Sequence, residues 1–231
     1  YDRDDDMIIT GKRHDFRIDY RVGFNQLGKI DGIEFEHFVR CGWSADLSIP
    51  IADRAMLHSD NAYFLSDVKI TSHRLLTNTQ SATAFRGFGG PQGMVGIEQV
   101  VSHIAQYLKK DALKVSELNF YKNPSKDQNN YQTTPYHMPI SDSIIRPLVK
   151  KLKLSADYDT RRQEVKNWNT KNKILKKGLA LTPVKFGISF TLTHLNQAGA
   201  LVHIYQDGSI RINHGGTEMG QGLFQKIAQV A

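Results

Sequence analysis

The chain has 231 residues, 40% of them apolar, enough for one large domain or two modest ones with a true core. No run nears the ~20 apolar residues that span a bilayer, no secretion-type leader opens the chain, and one cysteine, Cys41, excludes a disulfide framework or a multi-cysteine metal site. The net charge of +7 invites a polyanion, but much of it sits in one polar run, Arg161 to Lys177, which reads as a solvated helix and connector. A reducing, cytoplasmic setting follows from the cysteine usage, and neither nucleic acid nor membrane is expected as a partner.

"FRIDYRVGF" alternates strictly, with Phe16, Ile18, Tyr20, Val22 and Phe24 on one side. Asn25 to Lys29 turns the chain, and Ile33, Phe35 and Val39 resume the alternation, which predicts a hairpin with one buried face. Ile49 to Tyr63 has a short helix-like period, and "DVKITSHRLLTN" reads as a strand leading into "SATAFRGFGGPQG". Pro91 then suits the first turn of a helix with the apolar stripe Met94, Val95, Ile97, Val101, Ile104 and Leu108. A second helix is expected near Asp111 to Tyr121. The polar, aperiodic stretch from Lys122 to Pro135 is the best boundary candidate. Helices are expected over 141–153 and 155–169, then a strand-rich stretch from Phe186 to Asn213 with Asp207-Gly208 as its hairpin turn. The class is α+β, in two lobes. The ends are odd: the chain opens on Tyr1-Asp2-Arg3 and closes on a helical pattern with no C-cap, as a piece of a longer polypeptide would.

Two glycine turns open helices. The first, Gly87 to Gly90, is neither a dinucleotide fingerprint nor a P-loop, and it carries Phe85, Arg86 and Phe88 among its glycines. The second, "HGGTEMGQG", brackets Thr217, Glu218, Met219 and Gln221 before a helix at about Leu223. Helix N-termini expose unpaired N–H groups, so two such turns suit an anion or a large anionic cofactor held from two sides. Composition and spacing do not say which one.

At "TNTQSATAFRGFGGPQG", "KFGISFT", "LNQAGALVHIY" and "HGGTEMGQGL" the chain resembles the molybdenum-cofactor domain of the xanthine dehydrogenase and aldehyde oxidase family, from "DRDDDMIITGKRHDF" almost to its last residue. The resemblance implies a two-lobed molybdopterin-binding fragment, residues 1–130 in the first lobe and 131–231 as connector helices and the start of the second. It implies molybdopterin with molybdenum as cofactor. The peptide of Arg86, with Gly87, would lie against the molybdenum ligand sphere, while Met219, Gly220 and Gln221 would wrap the pterin. Phe88 would stack face-on to a flat heterocycle, Phe190 would meet it edge-on, and Thr191 would offer it a hydroxyl. Gly87, Gly89 and Gly90 would let the backbone come close to the cofactor, with Phe85 packed inward.

Read alone, Arg54 beside Asp53 is a surface arginine. By resemblance it falls where xanthine-oxidising members carry an arginine on the purine, so hypoxanthine or xanthine is expected as substrate, with an aldehyde oxidase as the alternative. The implied reaction is hydroxylation of an electron-poor ring carbon with water-derived oxygen. The family's glutamate base falls beyond the matched region and its iron–sulfur and FAD modules match nothing in the chain. This sequence therefore supplies no catalytic residue and is expected to be inactive alone. Those modules, and further copies of the full assembly, are the expected partners.

Overall fold

A computed structural model describes residues 2–124 and 131–231; the part of the Lys122–Pro135 boundary on 125–130 lies outside the described residues. A short helix, α1 (Arg3–Ile9), begins the fold with the Asp2 carboxylate accepting the amides of Asp4 and Asp5. Such a cap satisfies donors that the first turn leaves open. The alternation in the following sequence then becomes β1 (Phe16–Phe24) and β2 (Ile30–Gly42), paired antiparallel with Phe16 opposite Val39. Gly28, at φ +96°, makes the turn, and Asn25 Oδ1 accepts the amides of Leu27 and Lys29 at 2.9 and 3.1 Å.

β3 (Val68–Leu76) joins the other edge of β2 in parallel, Ile33 opposite Val68, giving the order β1-β2-β3. A parallel neighbour requires a crossover, and α2 (Ser48–Leu57) lies within it. α3 (Gly90–Tyr107) starts with Pro91 in its first turn, as expected, and buries Met94, Ile97, Val101 and Ile104. Val95 faces solvent instead of joining that stripe, because it sits one residue off the 3.6-residue period. α2 and α3 meet through absent side chains: a Cβ on Gly89 would lie 2.0 Å from the Ile51 carbonyl oxygen, and one on Gly93 2.1 Å from that of Ala55.

α4 (Ala112–Asn119) is capped by Asp111, whose Oδ1 accepts the Leu113 amide. Beneath these helices the core is built on Phe35, Tyr63, Ile97, Val101 and Phe120, with the rings of Tyr63 and Phe120 stacked 5.8 Å apart. α5 (Ile145–Ser155) and α6 (Tyr158–Lys171) follow, and in α6 only Tyr158 is buried, which matches a solvated basic helix. The chain separates into two units, Tyr1–Gly187 and Ile188–Ala231. The second holds a 3₁₀ turn (Thr193–Leu195), the antiparallel pair β4 (Ala200–Ile204) and β5 (Ile210–His214) turned at Gly208, and α7 (Leu223–Val230).

One expectation fails here. The strand-rich reading of Phe186 to Asn213 holds only for β4 and β5; "FGISFT" is not a strand. Within the second unit the backbone of Phe190 is served by a side chain instead, its N–H donating to Asn196 Oδ1 at 2.6 Å and its carbonyl accepting from Asn196 Nδ2 at 2.8 Å. A carboxamide has both a donor and an acceptor, so it replaces the ladder a neighbouring strand would supply.

His37 gives the core a pH dependence. It is fully buried on β2 between the rings of Phe16 and Phe35, and its Nδ1 has no hydrogen-bond partner among the described residues. Burial pushes its pKa down to about 4 from 6.5. The unfolded chain therefore takes up the proton first, and stability is complete above pH 6.5 and is lost as pH falls toward about 4. The loss should reach about 3 kcal/mol. Urea unfolding across that window should show the decline, and His37→Phe should make it shallower; an unchanged slope would contradict the assignment.

Candidate functional site

Arg54 occupies the last turn of α2, yet it is only 4% exposed, so the surface reading of this residue is wrong. Its guanidinium lies over two rings, 5.6 Å from the centroid of Phe88 and 5.5 Å from that of Phe186. Its Nη1 donates to the carbonyl of Gly187. Burial pushes the guanidinium pKa downward, but a group that titrates so high stays charged. A delocalised cation suits such a place because it is weakly hydrated and attracted to ring faces. Two residues 34 positions apart in sequence, Arg54 and Phe88, are thus brought together.

The bend carrying Phe88 is a run of left-handed backbone: Gly87 at φ +94°, Phe88 at +50° and Gly89 at +92°. A phenylalanine there is strained and must be held by its surroundings. The Phe88 amide donates to the Phe85 carbonyl at 2.8 Å, and that of Gly90 to Gly87 at 3.0 Å. The Arg86 carbonyl accepts from Arg13 Nη2 at 2.6 Å. Phe85 does not pack inward: it is exposed, with the Arg13 guanidinium 4.4 Å above its ring. The stacking cation covers the face that a core would otherwise cover.

The glycines also have a reason the sequence reading missed. A Cβ on Gly87 would meet Pro91 at 2.5 Å, one on Gly89 the Ile51 carbonyl, and one on Gly90 the Phe186 ring at 2.5 Å. Their bareness is required by the protein's own packing. The missed residue with the most to do is His58, one helical turn after Arg54. Its Nδ1 faces the Arg54 carbonyl at 2.9 Å, and its Nε2 accepts the Gly187 amide at 3.0 Å. The signal available was the i, i+4 spacing of Arg54 and His58, which puts both on one helix face.

In the second unit, Phe190 and Thr191 are half-buried and Met219 is exposed. Gly220 and Gly222 take positive φ, +91° and +75°. The bend there is not an open helix N-terminus. Glu218 Oε1 accepts the amides of Gly220 and Gly222 at 2.8 and 3.1 Å, and Oε2 accepts that of Phe224 at 3.3 Å. Desolvation pushes the Glu218 carboxyl up, but these backbone hydrogen bonds outweigh it and hold the pKa below its ordinary value. Gln221 donates to the Thr217 carbonyl and accepts the Met219 amide, so each end of its carboxamide has bonding capacity left.

Do these residues fit a hydrogen-bonding heterocycle and its cofactor? Thr191 Oγ1 is buried with no hydrogen-bond partner among the described residues. Buried hydroxyls are normally paired, so an orphan one suits a ligand that supplies the partner. The half-used Gln221 amide agrees with it. No cluster of His, Cys, Asp or Glu among the described residues could hold a metal by itself. No helix among them is long and apolar enough to cross a membrane.

Comparison with known proteins points the same way. Two family models, each described as a molybdopterin cofactor-binding domain, match residues 1–120 and 151–231. The chain is 46% identical over its full length to Xanthine dehydrogenase 1 of Arabidopsis thaliana, and it spans 16% of that protein. It is also 46% identical to Xanthine dehydrogenase/oxidase of Mus musculus, spanning 17%. Its fold is that of quinoline 2-oxidoreductase from Pseudomonas putida, with a TM-score of 0.71 at 16% identity over 100% of this chain and 30% of the other. The CO dehydrogenase of Oligotropha carboxidovorans gives 0.71 at 18% identity over the same shares. The chain therefore belongs to the molybdopterin cofactor-binding domain family.

Proposed function

We propose that this chain is the substrate- and cofactor-facing part of a xanthine dehydrogenase-like hydroxylase that converts hypoxanthine and xanthine toward urate in the complete enzyme. One observation carries the choice of a purine: Arg54 is a desolvated guanidinium held over the Phe88 ring. A cation at the edge of a flat, electron-poor ring stabilises the negative charge that develops there during attack, and it counts for more out of water than in it.

The other roles follow residue by residue. Phe88 stacks on the purine, Phe190 meets its edge, and the orphan Thr191 hydroxyl supplies a hydrogen bond to it. The Arg86 and Gly87 backbone would hold the molybdenum side of the cofactor, and Met219, Gly220 and Gln221 would hold the pterin. When bound, the molybdenum and its pterin supply the two-electron oxidation and the water-derived oxygen. This chain's residues bind and orient, and preorganisation of that kind lowers the barrier without moving a proton. On this reading residues 1–130 are part of the first molybdopterin-binding lobe, and 131–231 are connector helices and the start of the second. The glutamate base, the iron–sulfur clusters and the FAD belong to other parts of a cytoplasmic homo-oligomer.

The test is direct competition. The complete enzyme, loaded with its cofactor, should form urate from xanthine with a higher kcat/KM than it oxidises an aromatic aldehyde. Preference for the aldehyde would make it an aldehyde oxidase and overturn the purine reading.

A further inference from the structure

Immediately after α2 stand four buried polar residues, His58, Ser59, Asp60 and Asn61, that the roles above do not use. Three of them turn their side chains to one segment, Pro183–Gly187, two to its backbone and Asp60 to the Lys185 side chain. Asn61 Nδ2 donates to the Pro183 carbonyl at 2.9 Å, and its Oδ1 accepts the Lys185 amide at 2.9 Å. The Asp60 carboxylate takes the Lys185 ammonium and the Tyr121 hydroxyl. His58 closes the series at Gly187. Its Nδ1–H donates to the Arg54 carbonyl, which leaves Nε2 as the acceptor for the Gly187 amide. The carbonyl of that same glycine accepts from the Arg54 guanidinium. Both polar groups of Gly187 are therefore bound, one by His58 and one by Arg54, and His58 is itself tied to the Arg54 backbone.

We propose that His58 is a positioning residue for the purine: the hydrogen-bonded ring His58–Gly187–Arg54 sets where the guanidinium points, and Asp60 and Asn61 hold the strip on which the ring closes. The proposal rests on the reading of Arg54 as a purine contact. A long arginine side chain has many rotamers, and fixing one in advance removes the entropic cost from substrate binding. Only the neutral imidazole can make the ring, since a protonated one has no acceptor for the Gly187 amide. Burial favours that neutral form and outweighs the hydrogen bond to the Arg54 carbonyl, which opposes it; among its charged neighbours, Arg54 and Lys185 favour it too, and Asp60 opposes it.

The test uses the complete, cofactor-loaded enzyme with His58→Ala, Arg54→Met and the double variant. His58→Ala should lower kcat/KM for xanthine about tenfold, the scale of one buried hydrogen bond left unmade, chiefly through KM and with molybdenum content unchanged. If His58 acts through Arg54, the double variant is no worse than Arg54→Met alone, whereas additive losses overturn the proposal. An Arg54→Met enzyme with full xanthine turnover would sink the purine reading instead. The ring itself is judged without turnover: hydrogen exchange of the peptide containing Gly187 should accelerate about tenfold in His58→Ala, and unchanged exchange overturns the ring. Should His58→Ala not fold, His58→Asn is read the same way, because its carboxamide can donate to the Arg54 carbonyl but is too short to place an acceptor where Nε2 meets the Gly187 amide.

Discussion

Arg54→Met in the complete enzyme should cut kcat/KM for xanthine about a hundredfold or more, the usual scale for losing a preorganised charge-stabilising donor. Oxidation of an aromatic aldehyde should change far less. The asymmetry follows from the chemistry: a purine ring accumulates negative charge as its carbon is attacked, and Arg54 is the buried cation placed beside the Phe88 face. Methionine keeps the apolar stem but ends short of the guanidinium that lies over Phe88 and Phe186, and it has no charge and no donor. It also leaves the Gly187 carbonyl without the hydrogen bond that Arg54 now makes, which should cost about 1–3 kcal/mol of stability. Circular dichroism and molybdenum content separate that structural loss from the catalytic one. Equal losses on xanthine and aldehyde, with the fold intact, would remove the purine-specific role.

The second large effect is on folding. Gly93→Ala should destabilise the chain by about 3 kcal/mol. In isolation the change ought to help, since alanine in a helix interior gains up to about 1 kcal/mol over glycine. Packing reverses the sign. The new Cβ would lie 2.1 Å from the Ala55 carbonyl oxygen and 3.2 Å from the backbone of His58. Backbone cannot swing aside as a side-chain tip can, so α2 and α3 must separate. That separation also loosens Arg54, on α2, from Phe88, at the foot of α3. Gly178→Ala is the control, because nothing among the described residues lies within 4 Å of its Cβ position; it should stay within about 0.5 kcal/mol. Urea unfolding of the two side by side decides the matter, and equal midpoints would refute the close approach of the helices.

What could be read from the sequence follows the range of the forces involved. Period-2 alternation placed β1 and β2, and the stripe Ile97, Val101 and Ile104 placed α3, because those signals are local and burial acts on every repeat. "FGISFT" misled because its apolar content resembles a strand, whereas its backbone partner is the side chain of Asn196, six residues on. Phe85 misled for a similar reason: nothing local announces that Arg13, 72 positions earlier, lies on its ring. The roles proposed for Arg54, Phe88, Phe190 and Thr191 came from resemblance. Their spacing alone does not betray them. His58, Asp60 and Asn61 escaped notice because a polar run after a helix looks like any turn until a strip more than 120 residues away is laid against it.

The carboxylate of Glu218 has a consequence for what the second bend can accept. With its amides already claimed by a negative group of its own, that bend repels a phosphate arriving at the helix tip instead of drawing it in. Recognition there has to be by shape and by neutral amide contacts such as those of Gln221, which ionic strength hardly touches.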